Sequence, residues 1–453
     1  MKGVTCMEFS VWDILTDFGI ISMLLLVGMF LRAKVGIFQR SFMPASIIAG
    51  ILGLILGKNG FDILPFSDFI GSYPSILIAV VFAALPLSTP KFKWSEMFDK
   101  VGRLWSYSQI IMLLMWGGGL LFALILLVPL FDVHNGFGLL LAAGFVGGHG
   151  TAAAIGDAFQ SQGWEEATSL AMTSATIGAI IAIAVGLMLI RSNANKGNTN
   201  FISSFDKLPE ELKSGLLPKN KRNSLGENTV SSILIDSLAF HLMLVLFATM
   251  VGYYLSQFGE SLYANLSIPA FSLAFLIGLI LKKILQWAKA DEYIDNNIMN
   301  SIGGGATDYL VAFGIASINL TVVVDNIVPF SILIVFGILF SYFFYRVVSQ
   351  NYFQENWFEK GIFTFGWITG AVATAIALLR IVDPKLESRT LDEFGLAYIP
   401  IAPVEIAIIT FSPLFILNGQ HWLFTVITIG ASAIIILISY QRKWFTFYKR
   451  ERA

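Results

Sequence analysis

From Gly136 to Phe159 the chain reads GFGLLLAAGFVGGHGTAAAIGDAF. The stretch is apolar enough to enter a membrane, yet its middle holds Gly144, Gly147, Gly148 and Gly150 around His149 and Thr151. Each glycine weakens a helix by about 1 kcal/mol relative to alanine. A break facing lipid leaves N–H and C=O groups unpaired, so non-helical backbone survives at membrane depth only where protein packs over it or it lines a water-filled cavity. The sequence therefore predicts two half-helices meeting at a bend, a re-entrant hairpin over residues 136–160. A limb of about 11 residues reaches roughly 17 Å, about half of a ~30 Å hydrocarbon core. The bend would then hold bare carbonyls, a helix N-terminus, a hydroxyl and an imidazole near the midplane, as a solute or ion site requires. The competing reading is a glycine-rich helix packed closely against a neighbour.

Only 13% of the 453 residues are charged and 56% are hydrophobic, whereas soluble domains are about 25% charged. With a mean hydropathy of +0.74, the chain reads as an all-α integral membrane protein. A net charge of −1 gives no basis for nucleic-acid binding. One cysteine and four histidines exclude a disulfide framework and a Cys/His metal cluster. No apolar run precedes Trp12, so neither a cleaved signal peptide nor a lipoprotein cysteine at Cys6 is expected.

Apolar runs predict spans over 12–31, 42–57, 74–90, 107–130 and 167–190, with the hairpin before the last. A polar linker follows over 191–229. Spans over 230–257, 267–284, 303–320, 324–346 and 395–418 make a second set, with a broken segment over 359–380, and 421–440 closes the chain. The two sets resemble each other. Pro44 and Gly53 match Pro269 and Gly278, 225 residues on; Gly147 and Thr151 match Gly370 and Thr374, 223 residues on. A third match aligns Leu77, Ala79, Ala83 and Leu87 with Leu310, Ala312, Ala316 and Leu320 at 233; each match is weak alone, and the three in order at nearly one offset indicate a repeat.

Positive charge tests the topology. With the N-terminus outside, Arg32, Lys34 and Arg40 fall inside, as do Lys91, Lys93, Lys100 and Arg103, the basic linker, and Arg442 to Arg452 in the tail. The acidic flanks Asp132, Asp157, Glu165 and Glu166 fall outside, and Lys360, Arg380, Lys385 and Arg389 fall inside. Counting either hairpin as a full span would move several basic loops outside. The fold expected is thus an inverted repeat of two five-span units, each with a re-entrant hairpin, plus one C-terminal span. Its segments are 1–190, the cytoplasmic linker 191–229, 230–418 with a hairpin over 359–380, and 419–453.

The first tip, Gly147-Gly148-His149-Gly150-Thr151, lets backbone approach a ligand and aims a helix N-terminus at an anion. The second tip offers Thr369, Gly370 and Thr374, whose hydroxyls could instead bond back to their own helix. Ionisable residues inside spans default to function; they are Asp236, His241, Asp308 and Glu405. Asp308 is a candidate sodium ligand, together with Thr151 and Thr374. Glu405, after Pro400 and Pro403, is a third candidate group. No phosphate loop or catalytic dyad is evident, so no enzyme and no cofactor is expected.

GGHGT at 147–151, between an apolar and an alanine-rich half-helix, resembles the glutamate:sodium symporter family, as do MPASIIAGILGLILG at 43–57 and GAVATAIA at 370–377. The likeness runs over about residues 12–418. It implies a sodium-coupled glutamate importer of the bacterial inner membrane, a homodimer in the lipid bilayer, with a scaffold and a moving transport domain in an elevator-like cycle. It maps the site to Gly147–Thr151, Thr369, Gly370 and Thr374. The sequence departs from the family at Ala373-Thr374-Ala375, where a proline often stands beside the threonine, at Gly303–Asp308 and in the basic last span. A sodium-coupled di- or tricarboxylate transporter and an ion channel with paired re-entrant loops are the alternatives.

Overall fold

The computed structural model describes residues 10–40, 43–88, 97–194, 210–222, 224–262, 269–353, 355–383 and 386–445, and within them every regular element is helical. The first half runs α1 (Val11–Lys34), α2 (Gly36–Arg40), α3 (Ala45–Leu56), α4 (Tyr73–Ser88), α5 (Met97–Phe122), α6 (Val128–Phe131), α7 (Leu139–Phe145), α8 (Gly148–Gln160) and α9 (Ala167–Ala194). A wider π turn, Ala123–Leu127, joins α5 to α6 without a break. The short α10 (Glu210–Ser214) lies in the linker. The Arg32 guanidinium at the end of α1 donates to the Lys213 carbonyl and ties that segment down.

The second half repeats this order: α11 (Ser237–Leu262), α12 (Ala270–Trp287), α13 (Asn296–Ala316), the short α14 (Leu320–Asp325), α15 (Ile327–Phe343), α16 (Ser349–Tyr352), α17 (Trp357–Thr369), α18 (Val372–Val382) and α19 (Thr390–Leu417); α20 (His421–Gln441) follows. A second π turn, Phe344–Val348, joins α15 to α16. For α9 and α19, 390 − 167 and 417 − 194 both give 223. Pro44 and Pro269 cap α3 and α12 with nearly the same backbone angles (φ −57°, ψ 144° and φ −57°, ψ 139°). Proline suits that place because it has no N–H to leave unsatisfied. The apolar match at 233 does not follow the elements, since the N-termini of α4 and α13, Tyr73 and Asn296, lie 223 apart.

Nine helices among the described residues are long and apolar enough to cross a membrane. Two expected spans are not among them. α3 has 12 residues, about 18 Å, and α13 carries Asn, Gly, Thr and Asp in its first half. The second set also begins later than expected. Asp236 accepts from the Leu238 and Ala239 N–H groups, so it caps α11 rather than lying inside a span. His241 donates from Nδ1 to the Ser237 carbonyl at 2.6 Å and accepts the Asp295 N–H at Nε2 at 2.8 Å. Both ring nitrogens serve the α11–α13 junction.

The helices pack in two groups, each built from both halves. α1, α3, α4, α11, α12 and α13 pack together, and the long helices α5, α9, α15, α19 and α20 pack around the two broken pairs, α7/α8 and α17/α18. Small residues permit the first group's contacts: a Cβ on Gly50 would lie 2.7 Å from Ile315 Cβ, and one on Gly53 2.8 Å from Ala316 Cβ. In both broken pairs the chain folds back on itself. Gly136 lies against the Phe159 ring, and His134 stacks on Trp164 at 4.2 Å, so the two ends of the first pair meet. In the second, a Cβ on Gly366 would lie 2.9 Å from Ala375 Cα.

Candidate functional site

Both breaks open into one cavity of about 390 Å³ between the two helix groups. Gly147, Gly148, His149, Gly150 and Thr151 line it from the first break, Gly370 and Thr374 from the second, and Asp308 from α13. The tips touch: Gly148 has φ +63°, and a Cβ there would lie 3.0 Å from the Gly370 carbonyl oxygen. Glycine alone adopts that backbone readily and leaves room for the approach. α8 and α18 start at this junction, and neither has a side-chain cap. Their first N–H groups are thus left over, and each helix brings about half a positive charge to its start.

Each tip sets a threonine over the glycine four residues before it. A Cβ on Gly147 would collide with Thr151 Cβ at 2.1 Å, and one on Gly370 would lie 2.9 Å from Thr374 Oγ1. Helical threonines usually bond back to a carbonyl one turn earlier, and Thr176, Thr307, Thr364 and Thr410 do so here. Among the described residues Thr151 and Thr374 make no such bond, and their hydroxyls remain available at the cavity. Thr369 differs. It is fully buried, its hydroxyl donates to the Phe365 carbonyl at 2.6 Å, and it does not line the cavity. The sequence grouped it with the site because it adjoins Gly370; the helix turns its side chain away.

His149 Nε2 lies 3.2 Å from Thr176 Oγ1 on α9. That hydroxyl gives its one proton to the Met172 carbonyl, so it accepts from the imidazole. In the neutral ring this places the proton on Nε2 and leaves Nδ1 an acceptor. Asp308 is exposed to the cavity, and the Ser46 side chain of α3 interacts with its carboxylate. Thr307 beside it also lines the wall. Glu405 of α19, only 6% exposed, also lines the cavity and accepts the Tyr398 hydroxyl at 2.8 Å. Among the described residues no lysine or arginine lines the cavity. Among the described residues no cluster of His, Cys, Asp and Glu could hold a metal ion in the manner of a metalloenzyme.

The sequence model of the family described as sodium/glutamate symporter matches residues 11–387. The chain belongs to that family. The family is one of transporters, with sodium as coupling ion and glutamate as cargo, and not an enzyme class. Comparison with curated proteins returned no match. The family match takes in both tips and Asp308 but ends before α19, so Tyr398 and Glu405 lie beyond it.

Two cavity-lining groups, Tyr398 and Ser46, carry no clear signal in the sequence. Tyr398 and Glu405 are two turns apart on α19, a spacing that puts them on one face. That signal was present for Glu405, whose partner was not named. Ser46 is masked by the alanine-rich start of α3, and only its placement beside α13 distinguishes it. Another polar group, Asp17 in α1, is fully buried but structural: it accepts from the Ser67 N–H and hydroxyl and from the Tyr73 hydroxyl.

Proposed function

We propose that this chain imports glutamate with sodium across the bacterial inner membrane by alternating access in an elevator-like cycle. The observation that carries the reading is the meeting of two uncapped half-helix N-termini and two unspent threonine hydroxyls in one cavity. Positive helix ends suit the anionic ends of the cargo, while Asp308, Ser46 and Thr307 offer oxygen ligands for sodium. Gly147, Gly148, His149, Gly150, Thr151, Gly370 and Thr374 form the substrate wall, with Thr151 and Thr374 as further sodium ligands.

The same reading makes the two broken pairs re-entrant hairpins entering from opposite faces, as an inverted repeat requires; the repeated element order supports it. The group holding both pairs is the moving domain, the group of α1, α3, α4, α11, α12 and α13 is the scaffold, and the working unit is a homodimer. Charge puts the N-terminus outside and the C-terminus in the cytoplasm.

The test is uptake of labelled L-glutamate into proteoliposomes holding the purified protein, with an inward sodium gradient and with potassium in its place. Sodium-dependent accumulation above equilibrium is expected. Sodium-independent equilibration without saturation would favour the channel instead.

A further inference from the structure

We infer that Glu405 is the counter-charge to the substrate's ammonium group, and that it selects an amino acid over a plain dicarboxylate. The inference rests on the reading of this cavity as the transport site. Two helix N-termini face the cavity, and glutamate has two carboxylates. That arrangement alone would hold a dicarboxylate of the same length equally well. The ammonium group is what the helix ends cannot recognise, because they carry positive charge.

An ammonium group has three donors and no acceptor, so it needs oxygen atoms, best an anionic one. The cavity offers two carboxylates, Asp308 and Glu405. They differ in surroundings. Asp308 is exposed and has Ser46 and Thr307 near it, a set of oxygens that suits a metal cation. Glu405 is almost fully buried, its wall neighbours on α19 are Ala402, Ile406 and Ile409, and Tyr398 is its one hydrogen-bond partner among the described residues. A sodium ion there would find too few oxygens to replace its hydration shell. An ammonium group can share the Glu405 carboxylate with the Tyr398 hydroxyl and rest its remaining bulk on apolar wall. Among the described residues no lysine or arginine lines the cavity to neutralise Glu405, and a buried charge without a partner is strongly disfavoured. The cargo brings the missing cation. α19 packs on both α8 and α17, so Glu405 sits on the helix that bridges the two broken pairs.

The experiment measures ligand-induced thermal stabilisation of the purified full-length protein in sodium, titrating L-glutamate and glutarate. Glutarate has the same two carboxylates and lacks the amine. Wild type is expected to bind glutamate more tightly than glutarate. Glu405→Gln should lose roughly 100-fold or more in glutamate affinity, the effect of breaking a buried ion pair, while its glutarate affinity stays equal or rises. Tyr398→Phe should weaken glutamate alone, by roughly 10-fold, and Glu405→Asp should restore part of the loss. Melting temperatures without ligand separate misfolding from lost binding, and the tyrosine variant keeps the test open if the glutamine variant does not fold. Unchanged glutamate affinity in Glu405→Gln overturns the inference, and so does an equal loss of both ligands, which would make Glu405 a sodium ligand or a structural group. A wild-type protein that binds neither compound in sodium would instead sink the transport reading beneath it.

Discussion

The three tip threonines separate by what their hydroxyls touch. Thr151 and Thr374 have hydroxyls left at the cavity, whereas Thr369 has spent its own on Phe365. Thr151→Val and Thr374→Val are therefore expected to weaken substrate or sodium affinity by about 5- to 150-fold, the value of one hydrogen bond of about 1–3 kcal/mol. Thr369→Val should transport like wild type, and concentration-dependent uptake by the three variants checks the contrast. If all three match wild type, the tips are structural and the substrate lies elsewhere. Glycine enters at the same scale. A methyl group at Gly147 would overlap the Thr151 side chain, while at Gly370 the nearest atoms are 2.9 and 3.0 Å away. Gly147→Ala should therefore impair uptake more than Gly370→Ala, with both proteins still recovered from the membrane. The pairing of glycine with the threonine four residues on was legible in the sequence; which hydroxyls were free was not, because that depends on side-chain rotamers set by neighbouring helices.

Helix α9 is the element on which both broken pairs rest. A Cβ on Gly178 would lie 2.4 Å from the Thr369 carbonyl oxygen and 3.0 Å from the Phe145 ring, and Gly186 meets Leu378 in α18. From the other side, Gly144 in α7 presses on Ser174 and Ala175. Between apolar helices in lipid such close approach supplies the packing that the hydrophobic effect does not. Gly178→Leu should force the tips apart, lower the melting temperature through overpacking of about 1–3 kcal/mol, and abolish sodium-dependent uptake. Wild-type uptake and stability in that variant would mean that the pairs do not need their seat on α9. The sequence located α9 as an apolar run over 167–190 but assigned no role to its glycines, since a helix-forming segment with small residues reads alike whether it faces lipid or a partner. The paired π turns before each broken segment, Ala123–Leu127 and Phe344–Val348, were likewise invisible, because nothing in composition marks one extra residue in a helical turn.

At the scale of the whole molecule, the cavity lies between two helix groups, and the elevator reading requires one to slide past the other. Met172 of α9 lies against Gly314 of α13, one from each group. In a protein with Cys6→Ser, cysteines at 172 and 314 bridged by a mercuric ion should stop uptake, with recovery on adding a thiol, while each single cysteine variant keeps transporting. Uptake that continues with the bridge in place would rule out that sliding motion. Charge movement belongs to this scale too. Glutamate carries one net negative charge, so one sodium ion makes the cycle electroneutral, and a second adds about 2.3 kcal/mol of driving force per 100 mV. At least two sodium ions per glutamate are expected, and uptake should rise when an inside-negative potential is imposed; an unchanged rate would count against it.

The sequence by itself determined the membrane class, the approximate positions of the long helices, the glycine breaks at 147 and 370, and the family. These follow from local properties: hydropathy over a span, helix propensity, and a short motif whose glycines have no other reason to cluster. Only the tertiary structure decided that the two breaks, separated by more than two hundred residues of chain, meet tip to tip, that Asp308 and Glu405 face the same cavity while Thr369 turns away, and that α3 is too short to span a membrane alone. The reason is the same in each case. A residue's neighbours along the chain set its backbone, but its chemistry depends on which helix packs across from it, and in a nearly uniform apolar sequence many packings look alike until the small residues have locked into one.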